Sequence, residues 1–177
     1  MWSCFKILFT VFALTRFSLA KNMTTVPALN LDAYSGHWFQ VYAAPFDYVF
    51  QGYGKCITAD YAILGPNNVS VLNSQLSENG TSETISGYAF YKDETKPGQL
   101  SVSLQGVPFE AAPYWVFQLG PLKNSKYEYS VISVPVGPSL WVLARDVKDF
   151  FILYREEVSN YLDANNYTYV VVEQQDC

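Results

Sequence analysis

Few residues of this 177-residue chain combine types and spacing that could support catalysis. Its single histidine, His37, lies between Gly36 and Trp38 in the stretch AYSGHWFQVY and could act as a general base or as a ligand of haem or a metal. The adjacent carboxylates Glu156 and Glu157 could form an acid–base pair. A single histidine with no nearby acidic cluster is a poor zinc site, so we expect no metal and no cofactor.

The thiols are the other candidate nucleophiles. One of the three cysteines, Cys4, falls in an N-terminal segment typical of secretory signal peptides, which leaves Cys56 and Cys177. In an oxidising compartment we expect these two to form one disulfide, which would stabilise the fold by about 4–5 kcal/mol in the chain-entropy model. A reactive thiol would need an unpaired cysteine, and none remains if Cys56 and Cys177 pair with each other.

Residues 1–20 predict a secretory signal peptide. Lys6 precedes an apolar run, and the small residues Ser18 and Ala20 flank a cleavage site before Lys21. The apolar run is shorter than the roughly 20 residues needed to span a bilayer, so no transmembrane segment is expected. We therefore expect a secreted, extracellular protein.

Residues 21–177 have the size of one domain and remain acidic. The whole chain has a formal net charge of −5, and loss of Lys6 and Arg16 with the signal peptide would bring it to about −7. This charge disfavours nucleic acid and anionic membrane surfaces as partners. Four Asn-x-Ser/Thr sequons also fit a secreted glycoprotein, and they begin at Asn22, Asn68, Asn79 and Asn166.

Short apolar or alternating runs separated by turn residues predict an all-β organisation from His37 to Arg145. The breaks between the runs are rich in glycine, proline and asparagine, which favour tight turns. Successive strands should therefore be antiparallel neighbours in a meander. The eight predicted strands are 37–45, 55–64, 69–76, 84–92, 99–105, 113–119, 127–134 and 139–146.

The hydrophobic period changes to that of a helix after Arg145, in the stretch DVKDFFILYREEVSNYLDANN. Asp146 or Asp149 could cap this helix, and Asn165 and Asn166 would end it before a short β-like run, YTYVVVE. The predicted apolar face of the helix consists of Phe150, Phe151, Tyr154, Val158, Tyr161 and Leu162.

This order of strands and helix, with LDAYSGHWFQVYAAP at the start and LWVLAR at the end, resembles the lipocalin family. The segments YGKCITADYAI, VSVLN, ISGYAFYKDETKPGQLSVSL, APYWVFQLGP and YEYSVISV follow in the order and spacing of apolipoprotein D and the bacterial-type members. The resemblance implies an eight-stranded antiparallel up-and-down barrel with one C-terminal α-helix and a short final strand. Such a barrel is closed at one end and holds a small hydrophobic molecule in its cup.

The family pattern implies barrel-closing roles for Gly36, Trp38 and Arg145. Trp38 would plug the closed end, and Arg145 would pack across its indole in a cation–π contact of about 1–2 kcal/mol. Because side chains alternate along a strand, His37 faces outward if Trp38 faces inward. We therefore interpret His37 as a structural bystander.

The resemblance, extended by the same alternation, also indicates which side chains line the cup. Such an aromatic lining with few polar groups suits a steroid, retinoid, fatty acid or tetrapyrrole, although each aromatic could equally be core packing. The predicted ligand-binding residues are Gln40, Tyr42, Tyr61, Asn73, Phe90, Tyr114, Val116, Gln118, Tyr129 and Trp141.

The loops expected at the open mouth are unusually apolar. A patch of this kind indicates contact with a lipid surface or lipoprotein, or a lid folded over the entrance. The sequence leaves both alternatives open. The main members of the patch are Phe46, Tyr48, Phe50 and Phe109, with Val49 and Val107 beside them.

We expect a secreted carrier that binds a small hydrophobic ligand noncovalently, and no enzymatic activity. Synthase-type members of the family use a thiol inside the cup, whereas Cys56 is expected to pair with Cys177. Glu156 and Glu157 are neighbours on the helix and do not face each other, so they are interpreted as a solvated face. The alternative function is a secreted glycoprotein that acts through surface protein–protein contacts and whose barrel is filled by its own side chains.

Overall fold

The computed structural model describes residues 24–107, 110–172 and 174. The predicted signal peptide and the sequon at Asn22 lie outside these residues, as do Phe109 and Cys177. The described strands, in chain order, are β1 (Gly36–Ala43), β2 (Lys55–Gly65), β3 (Asn68–Leu76), β4 (Ser82–Tyr91), β5 (Gln99–Leu104), β6 (Ala112–Leu119), β7 (Leu122–Lys123), β8 (Lys126–Tyr127), β9 (Tyr129–Ser133), β10 (Leu140–Ala144) and β11 (Val170–Val171).

Eight of the described strands form a closed antiparallel barrel in the order β1-β2-β3-β4-β5-β6-β9-β10. The barrel closes where β10 pairs with β1, and β11 adds to β1 beside the end of β2. All eight predicted strands and their meander order are confirmed. The predicted seventh strand divides, because Lys126 and Tyr127 pair with β7 in a separate hairpin before β9 begins.

The predicted C-terminal helix is also confirmed. It consists of α3 (Val147–Asp149), a π-helical turn (Phe150–Tyr154) and α4 (Arg155–Ala164), following the short helices α1 (Leu31–Tyr34) and α2 (Tyr48–Gln51). Asp146 caps its start, because its side chain accepts a hydrogen bond from the Asp149 amide. None of the helices in the described part of the chain is long and apolar enough to cross a membrane.

Two layers of apolar side chains hold the barrel and the helix together. The inner layer fills the barrel from its closed end and includes Trp38, Tyr61 and Val116. The outer layer lies between the barrel wall and the helix, where Val142 packs with Val158 and other buried residues. Alternation along the strands divides the side chains between these layers, and burial of both layers stabilises the fold.

Two of the register shifts in the barrel affect residues that were predicted to line the cup. The register of β1 against β10 shifts between Gln40 and Tyr42, and the register of β6 against β9 shifts between Val116 and Gln118. A bulge inserts one unpaired residue, so side chains beyond it change faces of the sheet. Both shifts lie beside the helix and decide which of the predicted lining residues face the interior.

Arg145 and Trp38 make the contact that the family resemblance implies. The Arg145 guanidinium carbon lies 3.6 Å from the centre of the fully buried Trp38 ring. The guanidinium also donates hydrogen bonds to backbone carbonyl oxygens of the described chain, at His37, Ala33, Tyr34, Ser35 and Tyr127. Burial lowers the pKa of Arg145 to about 10, so it remains charged at neutral pH.

Gly36 and His37 also lie as the sequence predicts. Gly36 has a φ of 100° and lies close to the guanidinium, since an added Cβ would be 3.2 Å from Nη1 of Arg145. His37 is exposed, and its Nδ1 lies 2.8 Å from Oδ1 of Asp60 on the outer surface. This position agrees with a bystander role for His37.

The predicted covalent modifications remain predictions. Cys56 is buried at the start of β2, and its expected partner Cys177 lies outside the described residues. Asn79 and Asn166 are exposed, whereas Asn68 is half-buried at the start of β3.

Candidate functional site

The interior of the barrel contains six of the predicted lining residues. Tyr61, Tyr114, Val116 and Trp141 belong to the inner layer of side chains. Gln40 pairs across the sheet with inner-layer Leu143, and Asn73 pairs with inner-layer Ala59. Directly opposed residues share a face of the sheet, so both polar side chains also face inward. Their inward orientation is as predicted, and their binding of a ligand remains a prediction.

The prediction that Tyr42 lines the cup is wrong. Tyr42 packs on the outside of the barrel, where its ring centre lies 5.6 Å from that of Phe150 and 4.9 Å from that of Tyr169. The register shift after Gln40 explains the difference, because it places Tyr42 on the helix side of the sheet.

Gln118 and Tyr129 also face the helix and not the interior. Nε2 of Gln118 lies 2.9 Å from both the Tyr129 hydroxyl and Oε1 of Glu157, and the Tyr129 hydroxyl donates to Glu157 at 2.7 Å. The shift beyond Val116 turns Gln118 outward, and Tyr129 alternates with inward-facing Ser130. Both predictions of an inward position are wrong.

This outer network supports a stability prediction of moderate size. Replacing Tyr129 with phenylalanine should lower the free energy of unfolding by about 1 kcal/mol, because Glu157 and Gln118 each lose a hydrogen-bond partner. Urea denaturation measures the change, and Glu156→Gln serves as the control because Glu156 is an exposed neighbour of Glu157. A change within about 0.5 kcal/mol in Tyr129→Phe would show that the network does not hold the helix.

Phe90 is the fourth predicted lining residue that faces outward. Its neighbours Ala89 and Tyr91 belong to the inner layer, so alternation along β4 places Phe90 on the outer face. There its ring centre lies 5.6 Å from that of Tyr88, which is itself exposed. The prediction that Phe90 lines the cup is wrong, because Ala89 and Tyr91 occupy the inward-facing positions on either side of it.

The floor of the barrel carries a network of three tyrosines, of which Tyr61 and Tyr114 were predicted to line the cup and Tyr34 was not. The Tyr114 hydroxyl lies 2.6 Å from that of Tyr34 and 3.0 Å from that of Tyr61, and Tyr34 donates to Ser130 at 3.1 Å. Burial raises the pKa of Tyr34 to about 12 and the pKa values of Tyr61 and Tyr114 further still, so all three remain neutral. The three hydroxyls of the floor are therefore uncharged and hydrogen-bonded to one another.

Gln40 presents a different kind of polar group to the interior. Its side chain is buried, yet Nε2 has no hydrogen-bond partner among the described residues. Its backbone oxygen accepts a hydrogen bond from Nε2 of Gln174, which also donates to the Ile57 oxygen and so joins β1 to β2. A shielded donor without a partner is costly by about 1–3 kcal/mol, and an acceptor on a ligand would remove that cost.

The mouth lies opposite Trp38, where the loops between β1 and β2, β5 and β6, and β9 and β10 meet. Tyr48 is half-buried there and stacks on Tyr53, with ring centres 5.4 Å apart. The side chains of Phe50 and Phe109, two predicted patch residues, lie outside the described part of the chain. The exposed apolar residues of these loops are Phe46, Val49, Tyr53, Val107 and Val136.

Asp47 fastens two of these loops together. Its buried Oδ2 accepts hydrogen bonds from the amides of Ala44 at 3.1 Å and Leu140 at 3.0 Å. Desolvation by burial raises the pKa of this carboxyl, and the hydrogen bonds oppose part of that rise. Asp47 therefore joins the loop after β1 to the start of β10, and this contact requires burial of its carboxylate.

The raised pKa of Asp47 gives a pH-dependent prediction. The folded state binds the proton more readily than the unfolded state, so this group's contribution to stability falls as pH rises from about 3.9 through the folded pKa. Asp47→Asn keeps an acceptor for both amides and removes the charge. The free energy of unfolding of this variant should therefore fall less over that pH range than that of the unmodified chain. Urea titrations at several pH values measure this, with Asp163→Asn on the exposed helix end as control. An unchanged pH profile in Asp47→Asn would contradict the prediction.

Comparison with known sequences identifies the same segment that forms the barrel. Residues 29–170 match the family model described as a lipocalin-like domain. The outer membrane lipoprotein Blc of Vibrio cholerae is 31% identical over 146 residues, which cover 82% of this chain and 81% of the lipoprotein. Apolipoprotein D of Cavia porcellus is 28% identical over 169 residues, which cover 91% of this chain and 85% of the relative.

Comparison with solved structures agrees on the architecture. Insecticyanin from the tobacco hornworm Manduca sexta superimposes with a TM-score of 0.63 at 19% identity, covering 89% of this chain and 87% of insecticyanin. At this identity the likeness concerns the fold alone.

Proposed function

The chain belongs to the lipocalin family, and we propose that it is a secreted carrier that binds a small hydrophobic molecule noncovalently inside its barrel. Lipocalins are known for binding small hydrophobic ligands, and the barrel here has the closed end and the separate mouth that such binding requires. A carrier needs an interior lined by side chains that suit its ligand, and it needs no catalytic residue.

The observation that carries this proposal is the Gln40 amide inside the barrel. Its Nε2 is shielded from solvent and has no hydrogen-bond partner among the described residues, while apolar and aromatic side chains surround the same interior. Burial of such a donor is unfavourable unless it is bonded. The ligand class that suits this lining is an extended or flat apolar molecule with an acceptor oxygen, as in steroids, retinoids, fatty acids and tetrapyrroles.

Native mass spectrometry of the chain purified from a secretory host tests the proposal. A carrier should retain a small molecule whose added mass disappears after delipidation and returns when a candidate is added back. A protein of unchanged mass that takes up none of these four classes would overturn the carrier function.

The second candidate function is a secreted glycoprotein that acts through surface contacts with another protein. The specific observation in its favour is the dense packing at the closed end, where Trp38, Tyr34, Tyr61 and Tyr114 lie together. If that packing continues to the mouth, the interior takes up no ligand and the surface must supply the function. The uptake measurement therefore separates the two candidates.

We also propose that the mouth contacts lipid surfaces or lipoprotein particles when ligand is exchanged. Val49 and Val136 are 70% and 90% exposed, and Phe46 beside them is 42% exposed. Such a group of apolar side chains on neighbouring loops favours contact with an apolar surface. The acidic net charge favours zwitterionic over anionic lipid.

Liposome flotation measures this contact. Changing Phe46, Val49 and Val136 together to serine should reduce binding to phosphatidylcholine vesicles by at least about tenfold, because each buried apolar group contributes about 1 kcal/mol or more. Ile152 and Leu153 changed to serine form the matched control, since both are exposed on the helix away from the mouth. Absence of flotation by the unmodified protein, or equal loss in the control, would contradict the docking role and favour a lid.

Secretion with cleavage before Lys21, the Cys56–Cys177 disulfide and glycosylation complete the proposal. Exposure of Asn79 and Asn166 supports glycan at these sites in preference to half-buried Asn68. Peptide mapping of the secreted chain, with and without reduction and deglycosylation, measures all three features.

A further inference from the structure

We propose a second small-molecule site at the closed end, outside the barrel interior, that takes an amphipathic primary amine. A groove of about 390 Å³ lies there. It is formed by the segment that leads into β1, the turn between β2 and β3, and the turn between β4 and β5. The site is additional to the carrier function and does not depend on it.

The walls of the groove are mainly apolar. Leu29, Pro66 and Pro97 come from its three separate segments, and Ile63 extends from the end of β2 with 43% of its side chain exposed. A concave apolar surface of this size can hold one aromatic ring or a short alkyl chain. Its hydrophobic contribution therefore selects ligands with a small apolar body.

The charges of the groove select the polar end of that ligand. Its lining includes the carboxylates of Asp32 and Glu94 and no basic side chain among the described residues. The nearest basic groups already have partners: the Lys126 ammonium donates to the backbone oxygen of Asp32 and, at 3.0 Å, to Ser35 Oγ, and Lys96 pairs with Asp93 at 3.2 Å. Two carboxylates beside an apolar wall complement an ammonium group on an apolar body.

Tyr91 provides a further polar contact at the inner wall of the groove. Its hydroxyl is shielded from solvent and has no hydrogen-bond partner among the described residues. Burial raises the pKa of Tyr91 to about 12, so the hydroxyl stays protonated and can both donate and accept a hydrogen bond. An amine reaching this wall would give the hydroxyl a partner.

The closed-end groove borders the floor of the barrel, because the groove residues Leu31 and Tyr91 pack in the same inner layer as Trp38. Trp38, Tyr34 and Tyr61 are buried side by side in this floor, with ring centres 5.2–5.5 Å apart. Binding in the groove must therefore be distinguished from binding in the interior.

Titration with 2-phenylethylamine, followed by amide chemical shifts of the full secreted chain, tests the site. Saturable shifts should centre on Asp32, Asn67 and Glu94, with a dissociation constant of about 1 mM, as expected for a ligand of this size. The neutral analogue 2-phenylethanol should bind about threefold or more weakly, and phenylacetate more weakly again, because the carboxylates select the charge. Shifts centred on Gln40 and Trp141, or none up to about 10 mM, would overturn the proposal.

Matched variants separate the groove from the rest of the surface. Ile63→Trp should fill the groove and abolish binding, whereas Leu64→Trp, on the next exposed residue outside the groove, should leave it unchanged. Glu94→Gln should weaken amine binding about threefold and leave 2-phenylethanol unaffected. Glu110→Gln at the mouth is the charge control. Equal affinity for amine and alcohol, or equal effects of both tryptophan variants, would also overturn the proposal.

Discussion

Replacing Arg145 with alanine is expected to lower the free energy of unfolding by about 3–5 kcal/mol. The guanidinium donates to carbonyl oxygens of Ala33, Tyr34 and Ser35 before β1, of His37 in β1 and of Tyr127 in β8, so it ties three parts of the chain to the end of β10. Alanine leaves these carbonyls without that donor and removes the cation–π contact with Trp38.

Thermal and urea unfolding of the variant measure the loss, which for a domain of this size should lower Tm by about 10 °C or more. The stability of Arg145→Lys should lie between those of the unmodified chain and Arg145→Ala, because an ammonium keeps the charge but cannot reach all of the carbonyls at once. Arg155→Ala, on the exposed side of α4, is the control and should change stability by less than about 0.5 kcal/mol. A loss below about 1 kcal/mol in Arg145→Ala would contradict a barrel-closing role.

Replacing Gln40 with methionine is expected to change ligand selectivity by about tenfold. Methionine has a similar shape but no donor, so ligands that place an acceptor oxygen against Nε2 should lose about 1–2 kcal/mol of binding free energy. Ligands that consist of hydrocarbon alone should bind as before. Without ligand, the variant should be at least as stable as the unmodified chain, because it removes a shielded donor that has no partner among the described residues.

Calorimetric titration with a matched pair of ligands, one with and one without an oxygen acceptor, measures this selectivity. Gln118→Met is the control, because Gln118 has the same side chain but bonds Tyr129 and Glu157 on the outer surface. It should reduce stability and leave selectivity unchanged. Equal losses for both ligands in Gln40→Met would show that the amide does not contact the ligand.

The number and order of the strands could be predicted from the sequence because the signals that specify them are local. Alternating hydrophobicity and turn residues predict all eight barrel strands, and the change of period after Arg145 predicts the helix. The contact between Arg145 and Trp38 follows from family resemblance, since residues so distant in sequence carry no local signal of contact.

The orientation of several site residues could not be predicted because alternation fails at a bulge. The bulges after Gln40 and Val116 turn Tyr42 and Gln118 toward the helix, and nothing in either local sequence marks the extra residue. Tyr34 was missed for a different reason. It precedes the first strand, and its place on the barrel floor depends on α1 folding beneath Trp38. Its spacing of four residues from Trp38 is the one local signal, and Trp38 Nε1 donates to its carbonyl.

Tryptophan fluorescence during ligand titration tests the central claim, that the barrel interior binds a small hydrophobic molecule. The delipidated chain is titrated with fatty acids, retinoids, steroids and biliverdin, alongside Trp141→Phe and the outer-face control Trp115→Phe. The carrier function predicts saturable quenching by one chemical class, reduced in Trp141→Phe and retained in Trp115→Phe. Absence of quenching by every class, or equal reduction in both variants, would contradict it.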